Sequence, residues 1–276
     1  MPPRPEASDL AGAGFLEPLR SDAAHVAVLT DIDGTLAPIV DRPDQAAVPA
    51  LASELLRELG RRYAIVGCVS GRRADEARRL VGVDEISYAG NHGLELLLPG
   101  DARPRLDPSL EGRGEAAARF VAGLDGPRLL AAGLRLEDKG PIQALHWRGA
   151  EDEDGAEQLA REVAARAERD GLEPHWGRKV LELRPPVGVG KGTAISALLA
   201  RGTASAAVYA GDDRTDLDAF RRLRELREAG ELQLAVCVGV TSVEGPPELA
   251  AESDVTVEGP AGWLAVLECL ASAGKR

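Results

Sequence analysis

Two carboxylates, Asp31 and Asp33, follow a short apolar run near the start of the chain, in the sequence DIDGTL. The run before them, residues 25–30, has the length and composition of a buried strand. Both acids are therefore expected at the carboxyl end of a strand, where open parallel sheets bind ligands. Gly34 allows a sharp turn there, so both acids can face one small site. Carboxylates this close repel each other unless a cation or proton lies between them, and Mg²⁺ is the natural candidate because it takes oxygen ligands.

The next segments indicate a parallel sheet. Apolar residues recur at helical spacing between residues 48 and 59, and residues 63–69 form a second strand-like run. A strand, a helix and a strand in this order predict a βαβ unit with a right-handed crossover. Ser70, directly after the second run, is thus expected at the same sheet edge as Asp31.

Polar residues also follow two later strand-like runs. Residues 86–89 lead into GNHGLE, which contains Asn91 and His92, and residues 206–210 lead into GDDRTD. The second motif brings three more acids to the end of a strand. Those acids are Asp212, Asp213 and Asp216.

One lysine, Lys191, lies among glycines at the predicted start of a helix, in the sequence GVGKGT. The motif is not a P-loop, because Gly192 follows the lysine where Ser or Thr is required, and Thr193 breaks the GxGxxG pattern. Exposed amides, the helix dipole and an ammonium together favour an anion at this position.

Between residues 99 and 186 the pattern changes. Helices are predicted over 114–124 and 151–170, and strands over 129–137, 142–148, 172–176 and 179–183. This order predicts an antiparallel sheet backed by two helices, inserted as an α+β module into an α/β parallel-sheet core. The predicted division is a leader (1–20), a core (21–98 and 187–276) and the inserted module (99–186). Leu10, Phe15, Leu16 and Leu19 predict a short docking helix in the leader.

Composition excludes several function classes. The net charge of −12 argues against nucleic acid or an anionic membrane as partner. The three cysteines, Cys68, Cys237 and Cys269, are far apart, which predicts buried free thiols in a reducing compartment. The N-terminus lacks an apolar signal segment and no run reaches membrane-spanning length, so a cytoplasmic location is predicted.

The four motifs, in this order, resemble those of the haloacid dehalogenase superfamily of phosphotransferases. The resemblance covers residues 25–270 and implies a three-layer Rossmannoid core. It implies that Asp31 is a nucleophile that forms an aspartyl phosphate, and that Asp33 is the general acid/base. Ser70 and Lys191 would hold the phosphoryl oxygens. Mg²⁺ would be bound by Asp31, by the backbone carbonyl of Asp33 and by Asp212, with Asp213 and Asp216 in support.

The inserted module resembles the C2B-type cap of trehalose-6-phosphate phosphatases. The matching segments are EDKG (137–140), HWR (146–148) and VLELRP (180–185), together with GNHG (90–93) in the core. By this resemblance Glu137, Lys139 and Glu182 bind the hydroxyls of the distal glucose. Trp147 departs from the family's usual Tyr and receives no role. Four core residues are also expected at the substrate: Gly71, Arg72, Asn91 and His92.

The resemblance implies hydrolysis of trehalose 6-phosphate in trehalose biosynthesis, and functional pairing with a separate trehalose-6-phosphate synthase. Three alternatives remain open. The substrate can be another sugar phosphate, such as mannosyl-3-phosphoglycerate or sucrose phosphate; a phosphomannomutase is a more distant alternative. The chain can also be a non-catalytic sugar-phosphate-binding regulator. A two-component receiver would be much shorter and would lack the inserted module.

Overall fold

The structure is a computed structural model that describes residue 14 and residues 16–40, 45–243 and 245–272. The chain forms two compact units. The first comprises the described residues within Met1–Val40, Ala46–Arg105 and Val189–Arg276, and the second those within Asp41–Gln45 and Leu106–Gly188.

Strands and helices alternate through the first unit, while the second unit contains two hairpins. The strands are β1 (Val26–Thr30), β2 (Ile65–Val69), β3 (Ser87–Gly90), β4 (Glu95–Leu97), β5 (Arg105–Leu106), β6 (Arg135–Asp138), β7 (Gln143–His146), β8 (Glu173–Gly177), β9 (Val180–Arg184), β10 (Ala206–Gly211), β11 (Leu234–Thr241) and β12 (Val255–Glu258). The α-helices are α1 (Leu16–Ser21), α2 (Ala50–Gly60), α3 (Ala74–Val81), α4 (Ala116–Ala122), α5 (Gly126–Ala131), α6 (Glu153–Arg169), α7 (Lys191–Leu199), α8 (Asp216–Glu228), α9 (Pro247–Ala251) and α10 (Gly259–Ala271).

The first unit is built on one sheet with the strand order β12-β11-β10-β1-β2-β3-β4-β5. The strands from β12 to β3 pair in parallel, and β4 is antiparallel to β3. Helices cover both faces, because the central strands are apolar on both sides. In β1, for example, Val28 packs with Leu56 and Trp263 on one face, whereas Leu29 packs with Phe220 on the other. The predicted α/β fold with a three-layer parallel-sheet core is confirmed.

The parallel register brings the ends of β1 and β10 together. Thr30 pairs with Ala210, and the backbone N–H of Asp31 donates a 2.8 Å hydrogen bond to the Ala210 carbonyl. Asp31 and Asp212 therefore leave adjacent strands at the same edge, in agreement with the strand-end argument from the sequence.

The second unit contains an antiparallel sheet with the order β6-β7-β9-β8. One face is apolar, where Leu145, Leu181 and Leu183 pack with Phe120 of α4 and Val163 of α6. Because side chains alternate along a strand, the intervening residues form a polar face on the opposite side.

The prediction of a strand over 129–137 is wrong for its first part. The structure has α5 there, and β6 begins only at Arg135. The Asp125 carboxylate accepts a 3.1 Å hydrogen bond from Arg128 N, and Pro127 lies in the first turn, so this segment carries a helix start signal. Leu129 is buried as a helical residue in the core of the second unit.

Other predicted elements agree within a few residues. The leader helix is α1, in which Leu16 and Leu19 are buried; Leu10 and Phe15 lie outside the described residues. The three cysteines are buried and free. Of the helices that the structure describes, none combines the length and the apolar character that spanning a membrane requires.

Candidate active site

The carboxylate of Asp31 and the ammonium of Lys191 form the centre of the site. Lys191 Nζ lies 3.0 Å from Asp31 Oδ1 and 2.6 Å from Asp216 Oδ1. The lysine is the first residue of α7, as the glycine-flanked motif predicted. Burial lowers its pKa, but Asp216 and Asp31 outweigh this effect, and the pKa of Lys191 is raised. The lysine is therefore a fixed positive charge beside the nucleophile candidate.

Asp216 is completely buried and accepts a hydrogen bond from Lys191 Nζ. Its carboxylate accepts hydrogen bonds from the Tyr209 hydroxyl and from the backbone N–H groups of Asp212 and Asp213, at 3.0 and 2.9 Å for the two amides. Asp216 thus fixes both Lys191 and the turn that carries Asp212. Asp213 is only half-buried, and its carboxylate accepts from Arg214 N.

Asp212 is buried against the DIDGTL turn. Its Oδ1 lies 3.2 Å from Thr35 Oγ1. Gly34 has φ +92°, and a Cβ at this position would lie 2.1 Å from Asp212 Oδ2. Glycine is needed here both for its backbone conformation and for the close approach of this carboxylate.

The buried acids fit a divalent cation. Asp31, Asp212 and Asp216 each offer one oxygen, and these atoms lie within 4.8 Å of one another. Three carboxylates and one ammonium, that of Lys191, leave two negative charges, which a divalent cation would balance. Burial raises the pKa of Asp31 well above its ordinary value; Lys191 opposes this effect, while Asp216, Asp212 and Asp33 add to it. Carboxylate oxygens are the ligands that hard cations prefer.

Ser70 lies at the end of β2, beside the turn after β3. Its backbone carbonyl accepts a 2.9 Å hydrogen bond from His92 N, and its hydroxyl accepts one of 3.2 Å from Arg72 N. Asn91 N donates to the Arg72 carbonyl at 2.7 Å. A Cβ on Gly71 would lie 2.7 Å from His92 Nε2, so the missing side chain lets the imidazole pack against this loop. The loop after β2 and the turn after β3 therefore form one joined structure.

The carboxylate of Asp33 is bound by Arg72 in a two-pronged ion pair. Arg72 Nε and Nη2 each donate a 2.7 Å hydrogen bond, one to each oxygen of Asp33. Arg72 Nη1 also donates to Glu76 Oε1 at 2.8 Å. Sequence analysis predicted Arg72 at the substrate but did not indicate this contact with the predicted acid/base.

The cap candidates lie on the polar face of the second unit. Lys139 Nζ donates to Glu182 Oε1 at 2.8 Å, and Arg184 donates to Glu182 Oε2 at 2.6 Å. Glu137 lies 2.7 Å from His146 Nε2, and that hydrogen bond lowers the pKa of Glu137. Burial lowers the pKa of Lys139, but the two glutamates outweigh burial and its pKa is raised.

The candidate residues thus form two sets, one in each unit. The first unit brings together the predicted catalytic, metal-binding and loop residues, and the second brings together Glu137, Lys139 and Glu182. Sequence analysis did not predict several residues that form hydrogen bonds with these sets or with the segments that carry them. They are Thr35, Tyr209, Glu95, Asp218, His146 and Arg184. Four of them, Thr35, Glu95, His146 and Arg184, lay in motifs quoted above but received no role. Asp218, which accepts a 2.7 Å hydrogen bond from Gly192 N in the lysine motif, had no recognisable signal.

Comparison with known proteins agrees with the motif resemblance. A family model described as trehalose-phosphatase matches residues 29–257. An uncharacterized glycosyl hydrolase of Mycobacterium tuberculosis is 36% identical over 208 residues, which is 72% of this chain and 15% of that protein. A trehalose-phosphate phosphatase of Mycobacterium avium is also 36% identical over 208 residues, covering 72% of this chain and 52% of that protein. The chain thus spans about half or less of these relatives.

A solved structure described as a trehalose-6-phosphate phosphatase related protein superposes with a TM-score of 0.70. Its sequence is 25% identical, and the match covers 90% of this chain and 98% of that one.

Proposed function

Because the chain belongs to the trehalose-phosphatase family, we propose that it hydrolyses trehalose 6-phosphate to trehalose and phosphate. The observation that carries the proposal is the buried Asp31–Lys191–Asp216 arrangement at the carboxyl ends of β1 and β10. It combines an acid suited to attack phosphorus with a fixed positive charge next to it. Phosphoryl transfer needs mainly such positioning and charge neutralisation.

In the first half-reaction, an Asp31 oxygen attacks phosphorus in line with the sugar oxygen. The O–P bond to the sugar breaks, and Asp33 gives its proton to the leaving oxygen. Lys191 and Ser70 hold the remaining oxygens of the phosphoryl group. The products of this step are trehalose and an aspartyl phosphate on Asp31.

In the second half-reaction, Asp33 takes a proton from a water molecule as that water attacks phosphorus. The bond between Asp31 and phosphorus breaks, which regenerates the carboxylate and releases phosphate. Asp33 is then protonated again for the next turnover. An acid two residues after the nucleophile therefore favours hydrolysis of the intermediate over its storage.

We propose Mg²⁺ as the cation, held by Asp31, by the backbone carbonyl of Asp33 and by Asp212. When bound, it supplies positive charge that neutralises the phosphate oxygens. Asp216 is engaged by Lys191, Tyr209 and two backbone amides, so its proposed role, shared with Asp213, is to support the direct ligands.

Substrate choice is assigned to the second unit, which we propose is the cap domain. Its Glu137, Lys139 and Glu182 would bind the hydroxyls of the distal glucose, since carboxylates accept from sugar diols and an ammonium donates to them. In the first unit, the proposed substrate contacts and site wall are Gly71, Arg72, Asn91 and His92. Pairing with a separate synthase and a cytoplasmic location stay predictions.

The test is phosphate release from a panel of sugar phosphates, with and without Mg²⁺, using Asp31→Asn as the blank. Selective, Mg²⁺-dependent turnover of trehalose 6-phosphate that disappears in the blank would support the reaction and the substrate. Turnover of mannosyl-3-phosphoglycerate or sucrose phosphate instead would keep the reaction and refute the substrate. A folded protein that binds a sugar phosphate but releases no phosphate would favour the regulatory alternative.

The sugar contacts are tested separately with Lys139→Met. Because this lysine is proposed to bind sugar hydroxyls only, kcat/KM for trehalose 6-phosphate should fall by about tenfold or more, as expected when a polar contact to the substrate is lost. Turnover of p-nitrophenyl phosphate, which lacks a sugar, should stay within about threefold of wild type. Equal values for trehalose 6-phosphate before and after the substitution would show that the cap assignment is wrong.

A further inference from the structure

A buried carboxylate that the reaction does not use, that of Glu95, joins two loops of the candidate site. Glu95 is 3% exposed and is the first residue of β4. Its Oε2 accepts a 2.8 Å hydrogen bond from Ala74 N, and its Oε1 accepts one of 3.0 Å from Asn91 Nδ2. Ala74 begins α3, one residue beyond the Ser70–Arg72 loop, and Asn91 lies in the turn after β3.

The turn that Glu95 binds is conformationally costly. Asn91 and His92 have φ values of 48° and 57°, in the left-handed region. This backbone conformation is strained for a residue other than glycine. This backbone persists only where surrounding contacts fix it, and the bond from Asn91 Nδ2 to Glu95 is one of them.

The helix start that Glu95 binds lacks an ordinary cap. Arg73 occupies the N-cap position of α3 and makes no side-chain cap hydrogen bond. Glu95, which lies in β4, therefore accepts the hydrogen bond from Ala74 N. A Ser or Asp at the N-cap usually supplies such an acceptor. The negative charge of Glu95 at a helix N-terminus is also favourable.

We propose that Glu95 is a positioning residue for phosphoryl transfer, which holds the Ser70–Arg72 loop in place by tying the start of α3 to the Asn91–His92 turn. The inference rests on the proposed function, because it assigns Ser70 to the transferring phosphoryl group. Both ends of the loop are then fixed. His92 N binds the Ser70 carbonyl at the first end, while Asn91 N binds the Arg72 carbonyl and Glu95 binds Ala74 N at the second.

The two N–H donors that face Glu95 explain why the residue is an acid. Burial raises the pKa of Glu95, so the charged form is less stable here than it would be in water. Both of its hydrogen-bond partners are donors, which requires an acceptor at each oxygen. A carboxylate meets that requirement, whereas a carboxamide offers only one accepting atom.

This pattern defines a rescue experiment. Glu95→Gln keeps the shape of the side chain, but its new NH₂ group faces an N–H donor, either Ala74 N or Asn91 Nδ2. Adding Asn91→Asp turns the second donor into an acceptor, so the exchanged pair can bond again with its polarity reversed. The three variants to compare with wild type are Glu95→Gln, Asn91→Asp and the double substitution. Glu85→Gln, which removes an exposed carboxylate from the same unit, is the matched control.

The loss of activity should depend on the hydrogen bond between residues 95 and 91, and it should be the same for substrates with and without a sugar. Glu95→Gln should lower kcat/KM by about tenfold or more, because small displacements of positioning groups have effects of this size. The loss should be equal for trehalose 6-phosphate and p-nitrophenyl phosphate, since Ser70 serves the phosphoryl group that both share. The double variant should be at least about threefold more active than Glu95→Gln, and Glu85→Gln should stay within about twofold of wild type.

Three results would overturn the proposal. The first is a lowered Tm for Glu95→Gln with unchanged kcat/KM well below that Tm, which would leave only a structural role. The second is a double variant no more active than the weaker single variant. The third applies if Glu95→Gln does not fold: unchanged kcat/KM in Asn91→Ala would then refute the proposal.

Failure of the proposed function would be recognised separately. Wild-type turnover of p-nitrophenyl phosphate but not of trehalose 6-phosphate would refute the substrate and leave the Glu95 comparison intact. If the wild type releases phosphate from neither compound, calorimetric binding of inorganic phosphate with Mg²⁺ decides. Glu95→Gln should weaken that binding by about fivefold or more, and equal affinity would refute the positioning role.

Discussion

Replacing Arg72 by lysine should lower kcat/KM for a sugar phosphate and leave kcat/KM for an activated aryl phosphate nearly unchanged. Arg72 holds both oxygens of Asp33 through two 2.7 Å hydrogen bonds, and Asp33 is the proposed acid/base. Arg72→Lys keeps the positive charge but loses the planar fork that fixes the carboxylate plane. Asp33 should then be less often oriented toward the leaving oxygen.

The size of the effect follows from the exposure of the pair. A hydrogen bond to a charged group contributes about 1.5–3 kcal/mol when well buried. The side chain of Asp33 is 36% exposed and that of Arg72 is 11% exposed, so solvent screening reduces the contribution. A loss of about 1–2 kcal/mol in transition-state stabilisation corresponds to a decrease of about 5- to 30-fold in kcat/KM.

The assay compares kcat/KM for trehalose 6-phosphate and for p-nitrophenyl phosphate. A sugar alkoxide is a poor leaving group that needs the proton of Asp33, whereas p-nitrophenolate leaves without one. The sugar phosphate should therefore lose about 5- to 30-fold, and the aryl phosphate should stay within about threefold. Glu76→Gln, which removes a second acidic partner of Arg72, should stay within about threefold for both.

Two outcomes would refute this reasoning. An equal loss with both substrates would mean that Arg72 acts on the phosphate itself. An unchanged or increased value with the sugar phosphate would mean that the ion pair does not help to orient the acid.

Two further perturbations test other parts of the structure. Gly34→Ala should abolish Mg²⁺-dependent turnover, because its Cβ would lie 2.1 Å from Asp212 Oδ2; Gly82→Ala, also at positive φ but with open space around it, should keep turnover within about threefold and lose about 1 kcal/mol of stability. Retained Mg²⁺ dependence in Gly34→Ala would contradict the close approach. Because the hydrogen bond with His146 lowers the pKa of Glu137 below its ordinary 4.5, that pair should stabilise the protein above pH 4.5 and lose its effect as the pH falls through the lower folded pKa. The Tm difference between wild type and Glu137→Gln, about 1–2 °C at pH 7 for a partly exposed pair, should shrink as the pH falls below 4.5; a difference that grows on acidification would show that the sign is wrong.

Most of the first unit followed from local patterns in the sequence. Apolar runs of strand length predicted the strands, and a polar residue after each run predicted the site edge. This worked for Asp31, Ser70 and Asp212, because parallel strands of a sheet bring their carboxyl ends to one edge whatever packs around them. The glycine-flanked Lys191 was found for a similar reason, since a helix start is a local feature.

Local patterns were less informative where two signals competed. Residues 129–134 are apolar enough for a strand, and the prediction followed that composition. The helix start at Asp125 and Pro127 was the stronger signal, because a cap and a fixed backbone angle determine the conformation of the residues that follow. Leu129 is then buried on a helix, whereas Leu130 is exposed.

The sequence by itself determined most strands of the first unit and the polar residues that follow them, because both depend on neighbours a few positions away. Only the tertiary structure decided which polar groups meet. Thr35 contacts Asp212 across 177 positions of the chain, Arg72 binds Asp33 across 39, and Glu95 bridges two loops through side-chain geometry. Such pairings arise from the packing of distant segments, and no periodicity or spacing in the chain specifies them.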